Sequence, residues 1–449
     1  MPTNRSNDLE WRDEPGPMAI ALQVEDLPKE VLGEGIRPEV EERKTAFSFF
    51  GHFGLGNFGN ESTLQAILCE VRRRRPDAGL SCICTGPAAT ATTHNIATLP
   101  ASRVVVRAWK PRNRVMRVLR SAFIGIPSEL YRWIEGLRIL NRADALIIPG
   151  TGLITDAYGL GGWGPYTLFK WSLSAKMRGC KLLFVSVGAG PIYSRTGRWL
   201  AKSALALADF RSYRDNETKE YLSSIGAAVA GDKVYPDLAF SLAGQVRPRS
   251  AAPRGRRPVV GLGLMLYHRD LSGDSGPQST YASYLEQLAV FVKWLLAKDY
   301  NIRLLIGELS DDPVVAEFKA ILKDRLPAYD DDRIIHEPIR SVEDLLTQLN
   351  ETDAVVATRF HNALLALVLN KPVISISFHQ KCTSLMQDMG LQAYCQDIKQ
   401  LSAEKLIEQF CQIEKNSIRL RNMIKEQVAA RQMALDEQYG QIFKQILPS

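Results

Sequence analysis

A chain of 449 residues that is 45% hydrophobic and 23% charged has the composition of an ordinary globular protein, and it is longer than one hydrophobic core can serve. Its formal net charge of +7 is compatible with acidic partners without selecting one, and no nucleic-acid recognition motif accompanies it. No apolar run reaches the roughly 18 residues of a membrane span, and the N-terminus lacks the apolar stretch of a secretory signal. Seven scattered cysteines form neither a CxxC pair nor a metal-ligand spacing, which points to a reducing, cytoplasmic setting.

Residues 1–44, rich in Pro and charge and without a sustained period, read as a flexible leader. Order is expected from Thr45, where Ala46–Phe50 reads as a buried strand running into the glycine-bearing stretch Gly51–Glu61 and a helix from Ser62 to about Arg74. Strands are expected at Leu80–Cys84, Arg103–Val106, Ala145–Pro149 and Lys181–Val187. The last two end in Gly150-Thr151-Gly152 and Gly188-Ala189-Gly190. Residues 245–258, QVRPRSAAPRGRRP, have the composition of a linker. A second series follows, with strands at Val259–Leu264, Ile302–Ile306, Ala354–Ala357 and Val373–Ser377 and a helix from about Tyr281 to Lys298. Short apolar runs alternating with helical stretches indicate parallel βαβ units. Two such series predict two Rossmann-like domains facing across a cleft, at 45–244 and 259–400. A helical tail at 401–449 is expected to pack across both.

In parallel sheets ligands sit beyond the carboxyl ends of the strands, where these glycine turns fall. Gly54–Glu61 lacks the dinucleotide arrangement, because no acidic residue follows at the required strand end, and its plain reading is a structural turn. Arg211 and Arg214, in the cluster Phe210–Glu217, are either surface ion-pair partners or an anion clamp, since guanidinium forks match carboxylate and phosphate. Asp237 follows, where a strand would leave the first domain. In Ala354–Ala366 a wholly apolar strand ends in Arg359-Phe360-His361 and a helix begins, with Thr358 or its successors as caps. Two cations at a helix start oppose the helix dipole, which argues for a bound anion. Lys381 brings a further cation to the same edge, and His268 is placed to face the cleft, whereas His52 and His94 read as structural. The stretch Pro111–Leu140 alternates Arg with apolar residues. Its plain reading is a solvated helix face; its sharper one is a basic amphipathic surface meeting anionic lipid, to be weakened by neutralising Arg112, Arg114 and Arg117.

These segments together resemble the polysaccharide pyruvyl transferase family over about Phe49 to Leu391. The motifs that carry the resemblance are Asn57-x-Gly59-x-Glu61, Pro149-Gly150-Thr151-Gly152, Ser186-Val187-Gly188, Arg214-Asp215, Pro236-Asp237 and Arg359-Phe360-His361. Two positions depart from the family pattern: Asn60 stands where Asp is usual, a change suited to a capping role, and Thr151 where the turn is usually Gly-Gly-Gly. The resemblance implies a GT-B-like fold and phosphoenolpyruvate as co-substrate, with no other cofactor and no metal. It implies a pyruvyl ketal formed on a sugar of an exopolysaccharide or other surface polysaccharide, the acceptor being free or lipid-linked. Phosphoenolpyruvate carries a carboxylate and a phosphate and needs fixed cations, for which Arg359, Arg214 and Lys381 are the candidates. His361 and Arg359 are the expected catalytic residues, with His361, titrating nearest neutral pH, as general acid or phosphate contact. Arg214, Lys381, Arg211 and His268 would hold the donor. Asn57, Gly59, Asn60, Glu61, Gly150, Gly152 and Asp237 would be acceptor or loop contacts, the first domain serving the acceptor. Two rivals stay open: a GT-B glycosyltransferase using a nucleotide sugar, although no acidic pair follows His361, and a non-catalytic relative that binds glycan.

Overall fold

A computed structural model describes residues 45–102, 113–156, 164–244, 256–267, 277–325 and 330–447. Among them the first seven strands form one parallel sheet in the order β3-β2-β1-β4-β5-β6-β7. They are β1 Ala46–Gly51, β2 Gly79–Cys84, β3 Ala97–Pro100, β4 Ala145–Pro149, β5 Lys181–Val187, β6 Phe210–Tyr213 and β7 Lys233–Val234. A second parallel sheet has the order β10-β9-β8-β11-β12-β13. Its strands are β8 Val259–Leu264, β9 Asn301–Ile306, β10 Ile334–Ile335, β11 Ala354–Ala357, β12 Val373–Ser377 and β13 Cys395–Asp397. The expected pair of Rossmann-like sheets is therefore present. The central strands form where the sequence is continuously apolar, because a strand covered on both faces has no polar side to show. Every residue of β4, β8, β11 and β12 is buried.

In each sheet the chain reverses its direction of winding once, between β1 and β4 and again between β8 and β11. A crevice opens at the carboxyl edge at such points. The helices of the first half are α1 Phe58–Arg74, α2 Pro87–His94, α3 Arg114–Arg120, α4 Ile126–Ile139, α5 Pro165–Met177, α6 Arg195–Ala206 and α7 Asn216–Ser224. Those of the second are α8 Pro277–Ala297, α9 Asp312–Arg325, α10 Val342–Asn350, α11 Phe360–Val368 and α12 Gln380–Asp388, followed by α13 Ala403–Lys415 and α14 Ser417–Gln441. The two glycine loops above the crevices meet. The Phe58 N–H donates to the Gly307 carbonyl at 3.2 Å and the Leu309 N–H to the Gly56 carbonyl at 2.9 Å.

The C-terminal helices bind both halves. Phe410 of α13 packs edge-on against Phe291 and Trp294 of α8. From α14, the buried Gln438 amide donates to Ser186 Oγ at 3.0 Å and Ser212 Oγ at 2.6 Å in the first sheet. Three arginines of the Arg72–Arg75 run serve the same junction: Arg73 and Arg74 pair with Asp436, and Arg75 donates to the Leu447 carbonyl.

Sequence reasoning missed β3, β6, β7, β10 and β13, which are short or polar. The strand expected at Arg103–Val106, and most of the linker, lie outside the described residues. Helix α1 starts at Phe58 rather than Ser62 because Asn57 caps it, its side-chain oxygen accepting from the Asn60 N–H at 3.1 Å.

Candidate active site

A cavity of about 250 Å³ lies where the two crevices face each other. It is lined by His52, Asn57, Gly59, Asn60, Thr151, Gly152 and Leu153 from the first half. Arg214 completes that side, and Gly307, Arg359, Phe360, His361, Phe378 and Lys381 come from the second half.

Arg359 ends the β11 turn as the N-cap residue of α11, with no side chain capping the helix. Thr358, expected as a cap, is buried and spends its hydroxyl on Tyr284 at 2.9 Å. The first N–H groups of α11 are therefore available to an anion. The expectation that Arg359 needs a bound anion is corrected here. Its Nε and Nη2 donate to the two oxygens of Asp311 at 2.9 and 2.6 Å, and its Nη1 lies 3.1 Å from Glu308. Asp311 is fully buried, and its hydrogen bonds outweigh the cost of burying Arg359, holding the guanidinium above its ordinary pKa. Three of the five guanidinium donors point into the protein, which fixes Arg359 as a rigid wall of the cavity with limited capacity for a ligand.

His361, two residues on, stands 3.6 Å by its Nε2 from Asp237 Oδ2. Asp237 was expected among the acceptor or loop contacts. Instead it lies under the cavity, 3% exposed, receiving the Ala239 N–H and contacting Arg214. Burial raises the Asp237 carboxyl, but His361 and Arg214 outweigh that and hold it below its usual value. Burial lowers His361, with Arg214 and Lys381 adding to it against the pull of Asp237, so the imidazole sits below 6.5 and is neutral at pH 7. Gly59 makes the position possible: a Cβ there would fall 2.0 Å from His361 Nδ1.

Arg214 and Lys381 supply cations of different character. Arg214 follows β6, with its Nη1 3.5 Å from Asp237 and its guanidinium 5.3 Å from the Phe360 ring centre. Gly188 leaves room for it, since a Cβ there would come within 2.9 Å of Nη2. The Lys381 ammonium lies 5.7 and 5.6 Å from the ring centres of Phe360 and Phe378 and has no hydrogen-bond or ion-pair partner among the described residues. Burial, together with Arg214 and Arg359, lowers its pKa. A half-buried ammonium held by aromatic faces at a cavity wall is placed to receive an anion.

The remaining predictions divide. Asn57, Gly59, Asn60 and Gly152 line the cavity. Asn60 does not cap α1, however: it is the third residue of the helix, and its amide donates to the His52 carbonyl at 3.0 Å. Glu61 faces away, accepting from the Gly54 N–H at 2.7 Å and pairing with His94 at 3.3 Å. Gly150 is packed beneath the cavity against Thr63 and Ser186. Arg211, expected as a donor ligand, is a staple in β6 that holds Asp232 and the Ala228 carbonyl. Strand alternation puts it on the face opposite Ser212, away from the cleft. His268 lies outside the described residues, as do Arg112 and the side chains of Arg114 and Arg117.

Thr151 and His52 were missed as cavity residues. Thr151 is 2% exposed, and its hydroxyl has no partner among the described residues. Its signal was the departure from three consecutive glycines. His52 lacked any signal, because its place in the wall depends on contacts remote in sequence such as the Thr85 hydroxyl, 2.9 Å from its Nδ1. Among the described residues no group of three or more His, Cys, Asp or Glu is placed to hold a metal ion, and no helix is long and apolar enough to cross a membrane.

Comparison with known proteins gives three findings. The profile of the family described as polysaccharide pyruvyl transferase matches residues 57–380. Curated protein sequences give no significant match. Among solved structures, a protein from Listeria monocytogenes described as a UDP-N-acetylglucosamine 2-epimerase is similar at 12% identity and TM-score 0.57, over 90% of this chain and 97% of that one. The S. aureus MnaA–UDP structure is similar at 12% identity and TM-score 0.54, over 90% and 98%. The UDP-GlcNAc 2-epimerase from Neisseria meningitidis, bound to UDP-GlcNAc, is similar at 10% identity and TM-score 0.52, over 85% and 94%. At these identities the likeness concerns the fold, two facing Rossmann-like halves of GT-B type.

Proposed function

The chain belongs to the polysaccharide pyruvyl transferase family, and from that premise we propose that its cleft transfers the pyruvyl group of phosphoenolpyruvate to two hydroxyls of a sugar in surface-polysaccharide biosynthesis. The observation that carries the donor assignment is Lys381, a half-buried ammonium without an anionic partner among the described residues, facing the same cavity as Arg214 and the uncapped start of α11. Phosphoenolpyruvate brings a phosphate and a carboxylate to such a site, and both are ligands for guanidinium, ammonium and helix N–H groups.

In this reading the donor C3 accepts a proton, and C2, made electrophilic, is attacked by a sugar hydroxyl, which gives up its own proton. A second hydroxyl then takes the place of phosphate at C2: the bond between C2 and the oxygen of the phosphate group breaks, phosphate leaves with that oxygen and takes up the proton released by the second hydroxyl, and the ketal is left. His361 is the group for the proton at C3. Its imidazole is neutral in the empty site, so it must be charged when the donor arrives. The negative charge of bound phosphoenolpyruvate offsets Arg214 and Lys381, while Asp237 stabilises the resulting imidazolium. Arg214 and Lys381 hold the donor anion. Arg359, committed to Asp311 and Glu308, shapes the wall and orients His361.

The test is phosphate release from phosphoenolpyruvate by purified protein, read together with the mass of the acceptor oligosaccharide. Release is expected only with an acceptor that gains the pyruvyl ketal. His361→Ala should lower kcat by a factor on the order of 10² to 10⁴, and Lys381→Ala should chiefly raise KM for the donor, both with unchanged circular dichroism. Turnover of a nucleotide sugar in place of phosphoenolpyruvate would overturn the reading.

A further inference from the structure

Large apolar side chains lie exposed at sixteen described positions, and eight of these fall between Val115 and Ile134. Helices α3 and α4 are joined there by a helical turn at Ser121–Gly125. Leu119, Phe123, Ile126, Leu130 and Ile134 recur at intervals of four, three, four and four, which places them on one face. Phe123 is 75% exposed, Ile126 68% and Leu130 61%. The stripe from Leu119 to Ile134 is about 22 Å long at helical rise.

The inward side of α4 is the polar one. Glu129 accepts from the Tyr166 hydroxyl at 2.9 Å and from Lys170 at 3.1 Å, both on α5, and Ser128 and Gly136 are buried. A surface helix normally docks its apolar face and shows its polar one, and here the order is reversed. The sequence of these elements carries a charge bias: residues 113–142 contain six Arg and no Lys against two Glu. Two copies meeting through this face by a two-fold axis would set those cations against their own kind. An anionic surface complements them.

We propose that the α3–α4 face seats the protein on an anionic lipid bilayer, with the apolar stripe in the headgroup–acyl boundary and the arginines on lipid phosphates. Helix α4 leads into the start of β4, so its own start and α3 stand toward the carboxyl edge of the sheet, the edge at which the cavity lies. The bilayer is thereby brought to the side of the molecule from which an acceptor enters. The inference stands apart from the chemistry proposed for the cleft, because lipid binding is read without any substrate.

The experiment is flotation of the full chain with phosphatidylglycerol–phosphatidylcholine vesicles and with pure phosphatidylcholine vesicles, at low and high salt. Binding is expected on the anionic vesicles, weakened by salt. Phe123→Ser/Leu130→Ser should weaken it about tenfold, and Arg117→Gln/Arg120→Gln should remove most of the preference for anionic lipid. The Phe123→Ser/Leu130→Ser variant should keep the wild-type melting temperature, since both side chains face solvent. A Phe123→Trp variant should shift its emission to the blue on anionic vesicles only. Absence of vesicle binding, binding indifferent to the stripe variants, or a dimer in solution that the same variants disperse would each overturn the proposal.

Discussion

His361 stands between opposed influences at close range, and their balance sets how the site can work. Burial and two cations strip its proton, while one buried carboxylate 3.6 Å away favours it. The sign of the pH dependence follows. If protonated His361 is the acid, kcat/KM for phosphoenolpyruvate, which reports the free enzyme, should fall as pH rises through a value below 6.5. The kcat profile, which reports the loaded enzyme, should hold its plateau to higher pH, because the bound anion supports the imidazolium. Profiles measured at saturating and at limiting donor test this. A kcat/KM that is lost on the acid side instead would make His361 a base for the sugar hydroxyl. Arg359 shows the opposite arrangement, a cation already satisfied by Asp311, and its part in the site is therefore shape more than charge.

At the scale of elements, the two loops that look like phosphate cradles owe their glycines largely to other side chains. Gly59, in the first turn of α1, is absent of side chain because His361 at the start of α11 occupies that space. Gly188 likewise yields to Arg214. Gly59→Ala therefore makes a clear prediction. Alanine gains about 1 kcal/mol of helix propensity over glycine, against a packing strain of roughly 1–3 kcal/mol, so the melting temperature should move little. The imidazole cannot stay where it is, however, and kcat should fall nearly as far as in His361→Ala. Parallel thermal melts and turnover assays check it; an active Gly59→Ala enzyme would show that His361 can work from another rotamer.

For the whole molecule, the decisive feature is the return of the chain to its first sheet. Ser186 adopts a left-handed conformation, φ 49°, at an irregularity near the end of β5. Such a residue persists only where its surroundings hold it. Gln438, on the last long helix, does so through Ser186 and Ser212. The next turn carries Gly188, and the Arg214 N–H donates to the Val187 carbonyl at 3.0 Å. Gln438→Ala should cost about 1–3 kcal/mol through unsatisfied buried hydroxyls. It should also raise KM for the donor more than it lowers kcat, because Arg214 loses its support. Denaturant unfolding and steady-state kinetics together test this; lost stability with unaltered KM would confine Gln438 to a structural role.

The sequence by itself determined the two parallel sheets, since continuous apolar runs such as Val259–Leu264 and Ala354–Ala357 have no soluble alternative to burial on both faces. It also placed Arg359-Phe360-His361 and Lys381 at one edge, because strand ends in such a sheet fall together, whereas Arg214 joined them only through the family resemblance. Polar strands such as β6 escaped it, since Arg211 and Ser212 interrupt the hydrophobic period that reveals a strand. Only the tertiary structure decided what each cation faces. Arg359 meets Asp311 from forty-eight residues away, Arg211 turns to Asp232, and Lys381 finds two aromatic rings and, among the described residues, no carboxylate. Partnership between charges depends on distances of a few ångströms across elements remote in sequence, and no local pattern encodes those.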